Sequence, residues 1–171
     1  YMIYQLINFK NKNIIITGGL GNIGSKICKV YLDMGANIIL TDFYPISYFD
    51  KFLKKNFHQY KNNVEFYKCD LSSEKIRNIF FKKVKKKYKI IDIIINNAAF
   101  VGTSQNDGWN TTFKNQKLKN WNIALNINLI AIFDICKNFY DNLIKSNNGI
   151  IINISSVYGI IAPDLNIYKD T

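Results

Sequence analysis

The sequence predicts an α/β fold in which a doubly wound parallel sheet lies between two layers of helices, a three-layer α/β/α arrangement. Short runs of strand-forming residues alternate with longer stretches of helical periodicity along the chain, which is typical of a parallel sheet. The run Ile91–Ala99 is apolar enough for a strand that is buried on both faces. With 171 residues, of which 48% are hydrophobic, the chain fits one domain with a sizeable core.

Five strands and four helices are predicted in alternation. The predicted strands are Asn13–Gly19, Asn37–Asp42, Val64–Asp70, Ile91–Ala99 and Gly149–Ser156. The predicted helices are Gly21–Ala36, Ile46–Tyr60, a third that ends near Tyr88 with Ser72 or Ser73 as its N-cap, and Leu118–Lys145. A polar loop, Phe100–Asn115, is longer than most connections, and such loops often carry function. Right-handed crossovers give the strand order 3-2-1-4-5 as far as the chain extends.

The formal net charge of +11 raises the question of a nucleic-acid partner. Twenty-two of the 23 basic residues are lysine and only Arg77 is arginine, whereas base and phosphate recognition favours the arginine fork. The densest lysine run, residues 82–89, falls at the end of a predicted helix, where lysine suits the negative end of the helix dipole. We therefore expect no nucleic-acid partner.

Membrane, secreted and metal-binding classes are also disfavoured. No run approaches the roughly 18 apolar residues of a membrane span, and no segment resembles a secretory signal, so we expect a cytoplasmic protein without a membrane partner. The three cysteines, Cys28, Cys69 and Cys136, lack metal-ligand spacing and are typical of reduced thiols in a core. His58, the single histidine, is expected on the surface, and no metal site is predicted.

A glycine-rich turn, "TGGLGNIG" (Thr17–Gly24), joins the first strand to its helix. Glycines at these positions allow a tight turn, a close approach of the backbone to a pyrophosphate, and close packing of the helix on the strand. Free N–H groups and the dipole at the start of the helix favour phosphate groups. The turn therefore predicts a dinucleotide site. The residues predicted to bind the cofactor there are Thr17, Gly18, Gly21, Asn22, Ile23 and Gly24.

Asp42 ends the second predicted strand, eighteen residues after Gly24. A carboxylate at this position can accept hydrogen bonds from both hydroxyls of the adenosine ribose, and it would repel a 2′-phosphate. No arginine stands nearby in the sequence to reverse that preference. The predicted cofactor is therefore NAD rather than NADP.

Further motifs make the sequence similar to the short-chain dehydrogenase/reductase family, whose members have a Rossmann fold. "CDLSS" resembles the family's segment after the third strand, and the resemblance implies that Asp70, followed by Leu71, contacts the adenine. "NNAA" resembles the family's Asn-Asn-Ala-Gly signature. It implies cofactor contacts for Asn97, Ala98 and Ala99.

Two other motifs resemble the family's catalytic segments. "WNIALNINLIAIF" is similar to the helix that carries a catalytic asparagine, here Asn128, and "INISSVYG" to the strand that carries the catalytic serine, here Ser156. The resemblance implies hydride transfer between a nicotinamide and a carbinol or carbonyl carbon. The serine would bind the substrate oxygen and the asparagine would support a water chain. A tyrosine would transfer the hydroxyl proton, and a lysine four residues later would lower the pKa of that tyrosine.

Tyr168, twelve residues after Ser156, stands near the family's usual interval, but no residue is present four positions later. Two interpretations stay open. Tyr168 is the proton donor, or it belongs to a substrate loop and the catalytic tyrosine follows later. The second resembles a subgroup of oxidoreductases associated with flagellin-glycan and nonulosonic-acid sugar modification. In either case the lysine is absent, and we expect an amino-terminal fragment that lacks the family's last two strands.

The sequence thus predicts a single NAD(P)-binding domain, residues 1–171, of an oxidoreductase that acts on a small polar alcohol or ketone such as a sugar derivative. The full-length protein is expected to be a homo-oligomer. One alternative is a short, non-catalytic protein that binds a dinucleotide. Another is an extended-branch epimerase or dehydratase acting on nucleotide sugars, which the spacing of Gly18, Gly21 and Gly24 favours and "NNAA" disfavours.

Overall fold

A five-stranded sheet forms the centre of the molecule. The computed structural model describes residues 8–102, 107–109 and 111–161. Its strands are β1 (Asn13–Thr17), β2 (Asn37–Asp42), β3 (Val64–Lys68), β4 (Ile93–Asn96) and β5 (Ile150–Asn153). All neighbouring strands are parallel, and their order is β3-β2-β1-β4-β5. The predicted fold class and strand order are confirmed.

Helices cover both faces of this sheet. They are α1 (Asn22–Asp33), α2 (Ile46–Asn56), α3 (Glu74–Lys87), α4 (Leu118–Leu125) and α5 (Ala131–Ile144). A π-helical segment, Asn126–Ile130, joins α4 to α5. Residues of α1 and α2 pack on one face of the sheet, and residues of α3 and α5 pack on the other. Crossover helices on both faces are what a doubly wound sheet requires.

Isoleucine fills the central strands because their residues point alternately to two covered faces. Ile14 and Ile16 join the core under α1, while Ile15 joins the core under α3, and all three are fully buried. Each such side chain contributes about 1.5–3 kcal/mol relative to an exposed one. An unbroken apolar run, without polar alternation, is therefore the sequence pattern of a strand buried on both sides.

The second predicted helix, Ile46–Tyr60, is shorter in the structure. It ends at Asn56, and a separate 3₁₀ turn follows at His58–Tyr60. Between them Phe57 has φ −132°, and its buried ring packs edge-on against Phe52. Burying this ring takes the backbone out of the helical region, and the helical pattern of the sequence does not reveal that change.

Two other boundaries are also more precise in the structure than in the prediction. The first strand ends at Thr17 rather than Gly19. Ser73 caps α3, because its Oγ accepts from the backbone N–H of Ile76 at 3.4 Å. Ser72 instead donates its hydroxyl to Asp70 at 2.7 Å. The sequence left both serines open as the cap, and the structure selects the second.

Within the described residues one helical stretch, Leu118–Ile144, is long and apolar enough by length and composition to cross a membrane. No such run was predicted, because polar residues such as Asn128 and Asp134 interrupt it and it qualifies only on average hydropathy. Ile135 and Phe139 of its second half are buried against the sheet. A single helix of this kind is weak evidence for a membrane span, because the core helix of a soluble protein can have a comparable length and mean hydropathy.

Asp92 connects the amino ends of β1 and β4. Its Oδ1 accepts from Lys12 Nζ at 2.9 Å and from the Ser146 hydroxyl at 2.8 Å, and its Oδ2 accepts from the backbone N–H of Asn13 at 2.9 Å. Burial raises the pKa of Asp92, but these hydrogen bonds outweigh burial and hold its pKa below the ordinary value. Asp92 is therefore charged at neutral pH, and its hydrogen bonds are charge-assisted.

Replacing Asp92 by asparagine should lower the free energy of unfolding by about 1–3 kcal/mol at pH 7, because the neutral amide cannot reproduce these bonds. Since the folded-state pKa is depressed, the contribution is complete above the unfolded pKa of about 3.9 and is lost as the pH falls below it. The difference between the two proteins should therefore shrink in acid. Urea unfolding at neutral and acidic pH measures it. Asp50→Asn, at an exposed position of α2, is the control. An equal effect of both variants would contradict this assignment.

Candidate functional site

The candidate site lies at the carboxyl edge of the sheet, where β1 is flanked by β2 on one side and β4 on the other. The chain runs outward in one direction from β1 to β3 and then returns to β4, so the strand order reverses at this point. Open α/β sheets form their ligand crevice at such a reversal. The turn after β1 opens into this crevice and contains the predicted glycines.

The glycine turn is too closely packed to admit side chains at two positions. Gly18 has φ +64°, and a Cβ there would lie 2.9 Å from Ala98 Cα, at the end of β4. Gly24 is buried at the start of α1, and a Cβ there would collide with the carbonyl oxygen of Gly18 and lie 2.7 Å from Asn97 Nδ2. The turn, the first turn of α1 and the end of β4 are therefore in direct contact.

The amino end of α1 presents unpaired backbone donors. Gly21 is the N-cap, its backbone is extended, and it provides no side-chain cap. The helical hydrogen bonds begin with Ser25, whose N–H donates to the Gly21 carbonyl at 2.9 Å. The N–H groups of Asn22, Ile23 and Gly24 consequently have no partner among the described residues. Together with the helix dipole they form a site for an anion such as a pyrophosphate.

Thr17 and Asn97 fasten the turn to β4. The Thr17 Oγ1 accepts from the backbone N–H groups of Asn97 and Ala98, both at 3.0 Å. The Asn97 Nδ2 donates to the carbonyls of Thr17 at 2.9 Å and Gly18 at 3.1 Å. Thr17 is fully buried. Thr17 and Asn97, both predicted to bind the cofactor, thus hold the glycine turn in place through contacts within the protein. Ala99, in the same segment as Asn97, is exposed.

Asp42 closes the other side of the crevice. Its Oδ2 accepts from the backbone N–H of Leu20 at 3.0 Å, and its Oδ1 accepts from the backbone N–H of Phe43 at 2.8 Å. Burial raises the pKa of Asp42, and these backbone hydrogen bonds oppose that rise without cancelling it. The carboxylate therefore fixes the position of the glycine turn as well as the end of β2. The contact with Leu20 was not predicted, because it joins residues 22 positions apart in the sequence.

Three aromatic rings follow Asp42. Phe43 stacks on Tyr44 and Tyr44 stacks on Tyr48, each with ring centroids 4.3 Å apart. Phe43 remains 62% exposed. An exposed aromatic ring beside the Asp42 carboxylate offers a flat apolar surface to a planar base. This stack of rings was not predicted from the sequence, although the aromatic residue directly after the strand-end carboxylate was an available signal.

Asp70 and Leu71 lie in the loop between β3 and α3. The Asp70 Oδ1 accepts from both the backbone N–H and the hydroxyl of Ser72, at 2.9 and 2.7 Å. The Leu71 side chain is buried in the core under α3, and its carbonyl accepts from Arg77 Nη1 at 2.7 Å. Leu71 can therefore meet a ligand only through its backbone.

The π-helical segment determines the orientation of the Asn128 side chain. Asn128 stands four residues after Ala124 and three before Ala131, both buried, so continuous α-helical geometry would direct it towards the core. In the widened turn it is exposed, and its side-chain amide pairs with the backbone of Phe100. The Asn128 Oδ1 accepts from the Phe100 N–H at 2.7 Å, and its Nδ2 donates to the Phe100 carbonyl at 3.0 Å. π segments often occur at functional sites.

Ser156 follows β5, the neighbour of β4, and is exposed. It begins a 3₁₀ turn, Val157–Gly159, and its Oγ accepts from the Tyr158 N–H at 3.2 Å. A hydroxyl that accepts one bond still has its hydrogen to donate. Ser156 therefore lies at the carboxyl end of β5, on the same edge of the sheet as the glycine turn. Asn128 is held near this edge by its hydrogen bonds to Phe100, which follows β4. Tyr168 lies outside the described residues.

The family model for the short chain dehydrogenase matches residues 12–168. The chain belongs to this family. A solved short chain dehydrogenase from Leptospira borgpetersenii with bound NAD+ has a TM-score of 0.74 and 27% identity to this chain, and the match covers 94% of this chain and 57% of that one. The fold described above and the family resemblance in the sequence therefore agree.

Curated relatives of this chain carry oxidoreductase names. An uncharacterized oxidoreductase of Saccharomyces cerevisiae is 30% identical over 90% of the chain, which covers 46% of that protein. The 3-oxoacyl-[acyl-carrier-protein] reductase FabG of Chlamydia trachomatis is 27% identical over 88% of the chain, which covers 57% of it. The chain spans about half the length of these relatives.

Replacing Gly24 by alanine should destabilise the chain by about 1–3 kcal/mol, because the added methyl group has no space beside Gly18. NADH binding should weaken as well, since the phosphate cradle must shift. Thermal unfolding and NADH fluorescence titration measure the two effects. Ser25→Ala, which removes an atom at the next position, is the matched control and should change neither strongly. NADH binding by Gly24→Ala at unaltered affinity would show that the tight packing does not shape the site.

Proposed function

We propose that the chain is the dinucleotide-binding part of an oxidoreductase that transfers a hydride between NAD(H) and the carbon of a small polar alcohol or ketone. The observation that carries the proposal is the glycine turn, whose free N–H groups at Asn22, Ile23 and Gly24 open into the crevice next to Asp42. The NAD+ named for the Leptospira relative and the reductase name of the Chlamydia relative support the same reaction class.

The residues of the crevice suit the two halves of a dinucleotide. The donors at the start of α1 would bind the pyrophosphate. A carboxylate has about four lone-pair positions, and the backbone N–H groups of Leu20 and Phe43 each donate to one oxygen of Asp42, so lone pairs remain for the adenosine ribose. A 2′-phosphate would bring a second negative charge against Asp42. For this reason we propose NAD rather than NADP.

The adenine would lie between two segments. Phe43 offers an exposed ring on one side, and the loop of Asp70 and Leu71 lies beyond the next strand, β3. This arrangement gives the base apolar contact and backbone hydrogen-bonding groups, the usual means by which a planar base is held. Ala98 and Ala99 would contact the cofactor on the β4 side of the crevice.

Proton transfer and substrate positioning would fall to the residues beyond β4 and β5. The bound nicotinamide supplies or accepts the hydride. Ser156 would donate its hydroxyl hydrogen to the substrate oxygen, while Asn128 would support a water chain and, through Phe100, hold the segment after β4. Tyr168 would supply the proton, or a tyrosine later in the protein would do so. A phenol needs a nearby cation to act as a base at neutral pH, because its ordinary pKa is about 10.

The polar loop after β4 bears on the class of substrate. A polar alcohol or ketone, such as a sugar derivative, is consistent with the polar loop that follows β4, and membership of a sugar-modification subgroup stays a prediction. A non-catalytic dinucleotide-binding protein is the main alternative. The extended-branch epimerase or dehydratase is the other.

The cofactor preference has a direct test. The chain should bind NADH at least about tenfold more tightly than NADPH, because the Asp42 carboxylate accepts charge-assisted hydrogen bonds from the ribose hydroxyls. Asp42→Ala should weaken NADH binding and bring the two affinities together. Fluorescence titration with both dinucleotides measures this, with Asp50→Asn as the control. Equal affinities in the unmodified protein would contradict the preference for NAD.

The reaction class is tested by turnover. The full-length protein should oxidise NADH in the presence of a polar ketone drawn from a panel that includes ketosugars. Ser156→Ala should lower kcat by about 10²-fold, the usual effect of losing one donor to a reacting oxygen, with NADH affinity unchanged. Binding of NADH without turnover of any panel member would favour the non-catalytic alternative. A Ser156→Ala variant with unaltered kcat would remove Ser156 from the reaction.

We also propose that the full-length protein is a cytoplasmic homo-oligomer. The outer surface of the helix from α4 to α5 supports this, because Leu125, Leu129 and Phe133 are exposed there at successive helical turns. Apolar side chains in such a row are typical of a surface that packs against another helix. A monomeric molar mass of the full-length protein in solution would contradict the proposal.

A further inference from the structure

Arg77 is the single arginine of the chain, and it is buried. Only 2% of its surface is exposed, in the first half of α3. The other 22 basic residues are lysine. A guanidinium removed from water destabilises a protein unless its hydrogen bonds are satisfied, so its partners indicate its role.

Two acceptors on different elements accept hydrogen bonds from Arg77. Its Nε donates to Asp134 Oδ2 at 2.8 Å, and its Nη1 donates to the carbonyl of Leu71 at 2.7 Å. Asp134 lies in the first turn of α5, directly after the π-helical segment. A planar guanidinium presents donors in fixed directions and can bond both acceptors at once, whereas an ammonium is a compact point charge. An arginine at position 77 is thus required by geometry and not only by charge.

Further hydrogen bonds fix the position of Asp134 and of the loop that contains Leu71. The Asp134 Oδ1 accepts from Asn138 Nδ2 at 2.9 Å, one turn along α5. The Cys69 N–H donates to the Asp42 carbonyl at 2.8 Å, and the Ser73 N–H donates to the Asp70 carbonyl at 3.2 Å. The loop of residues 70–72 is therefore fixed to the sheet at its start and to α5 at its middle.

We propose that Arg77 is a positioning residue for the adenosine half of the dinucleotide. With Asp134 it clamps the loop of residues 70–72 to α5, and this clamp sets where Asp70 and the Leu71 backbone meet the adenine. The inference rests on the proposed function and deepens it. In this proposal the ion pair between Arg77 of α3 and Asp134 of α5 determines the geometry of the adenine end of the crevice.

The first test compares the two halves of the cofactor. In NMR titrations of the 171-residue chain, Arg77→Lys should bind AMP about tenfold more weakly than the unmodified protein, because the compact ammonium cannot hold the Leu71 carbonyl and Asp134 as the planar fork does and the loop of residues 70–72 shifts. Its affinity for nicotinamide mononucleotide, which lacks adenine, should be unchanged. Equal losses for both ligands, or no loss for AMP, would overturn the inference.

A double variant separates positioning from stability. Arg77→Met with Asp134→Leu removes the ion pair without leaving a buried charge, and apolar replacement of a buried ion pair is often neutral or stabilising. The unfolding midpoint should therefore return towards that of the unmodified protein. AMP affinity should stay reduced, because the Leu71 carbonyl still lacks its donor. Recovery of AMP affinity together with stability would mean that Arg77 is only structural.

Asp92→Asn is the matched control, since it breaks another ion pair but at the amino ends of the strands, away from the crevice. It should lower the unfolding midpoint and leave AMP affinity unaltered. An equal loss of AMP affinity in Asp92→Asn would attribute the effect to general loosening and overturn the inference. If the unmodified chain binds neither AMP nor NADH, the proposed function itself fails. If it binds both and Arg77→Lys behaves identically, only the positioning role fails.

Discussion

The candidate site depends on the hydrogen bonds that join β1 to β4 at the point where the strand order reverses. The Thr17 hydroxyl oxygen and the Asn97 amide hold the two strand ends together through four hydrogen bonds. In a parallel sheet these strands diverge beyond their last ladder bond, and a crevice opens between them. Without these hydrogen bonds the glycine turn would not be fixed against the segment after β4, and the orientation of the N–H groups at the start of α1 would vary.

Several residues that sequence patterns associate with a ligand are engaged by the protein itself. Asn97 donates to the turn, the Asp42 carboxylate accepts from Leu20 and Phe43, and Asn128 pairs with the Phe100 backbone. Such contacts hold a site in its binding geometry before the ligand arrives, which lowers the entropic cost of binding. A binding residue and a structural residue are therefore not alternatives here, because a carboxylate or an amide has more than one hydrogen-bonding position.

The fold could be predicted because it depends on patterns that are local in sequence. Apolar runs marked all five strands, and the glycine turn and the strand-end carboxylate located the crevice. What could not be predicted was set by contacts between distant residues. The ring of Phe57 ended α2 early, and the partner of Arg77 lies 57 positions away. Nothing in the sequence around Arg77 indicates that this side chain is buried. The widened turn at Asn128 likewise follows from packing on both sides of it and has no signature of its own.

That widened turn also bears on how the length of this chain can vary. Each residue of an α-helix advances the side chains by about 100°, so a one-residue deletion in a regular helix rotates everything beyond it away from the core. The π-helical segment Asn126–Ile130 contains one residue more than an α-helical turn. This extra residue already changes the rotation of α4 relative to α5 about the helix axis. A single-residue deletion there would convert the segment to ordinary helix and turn α4 relative to the sheet. Relatives that differ by one residue at this place would therefore share the core of α5 and differ in the surface that α4 presents.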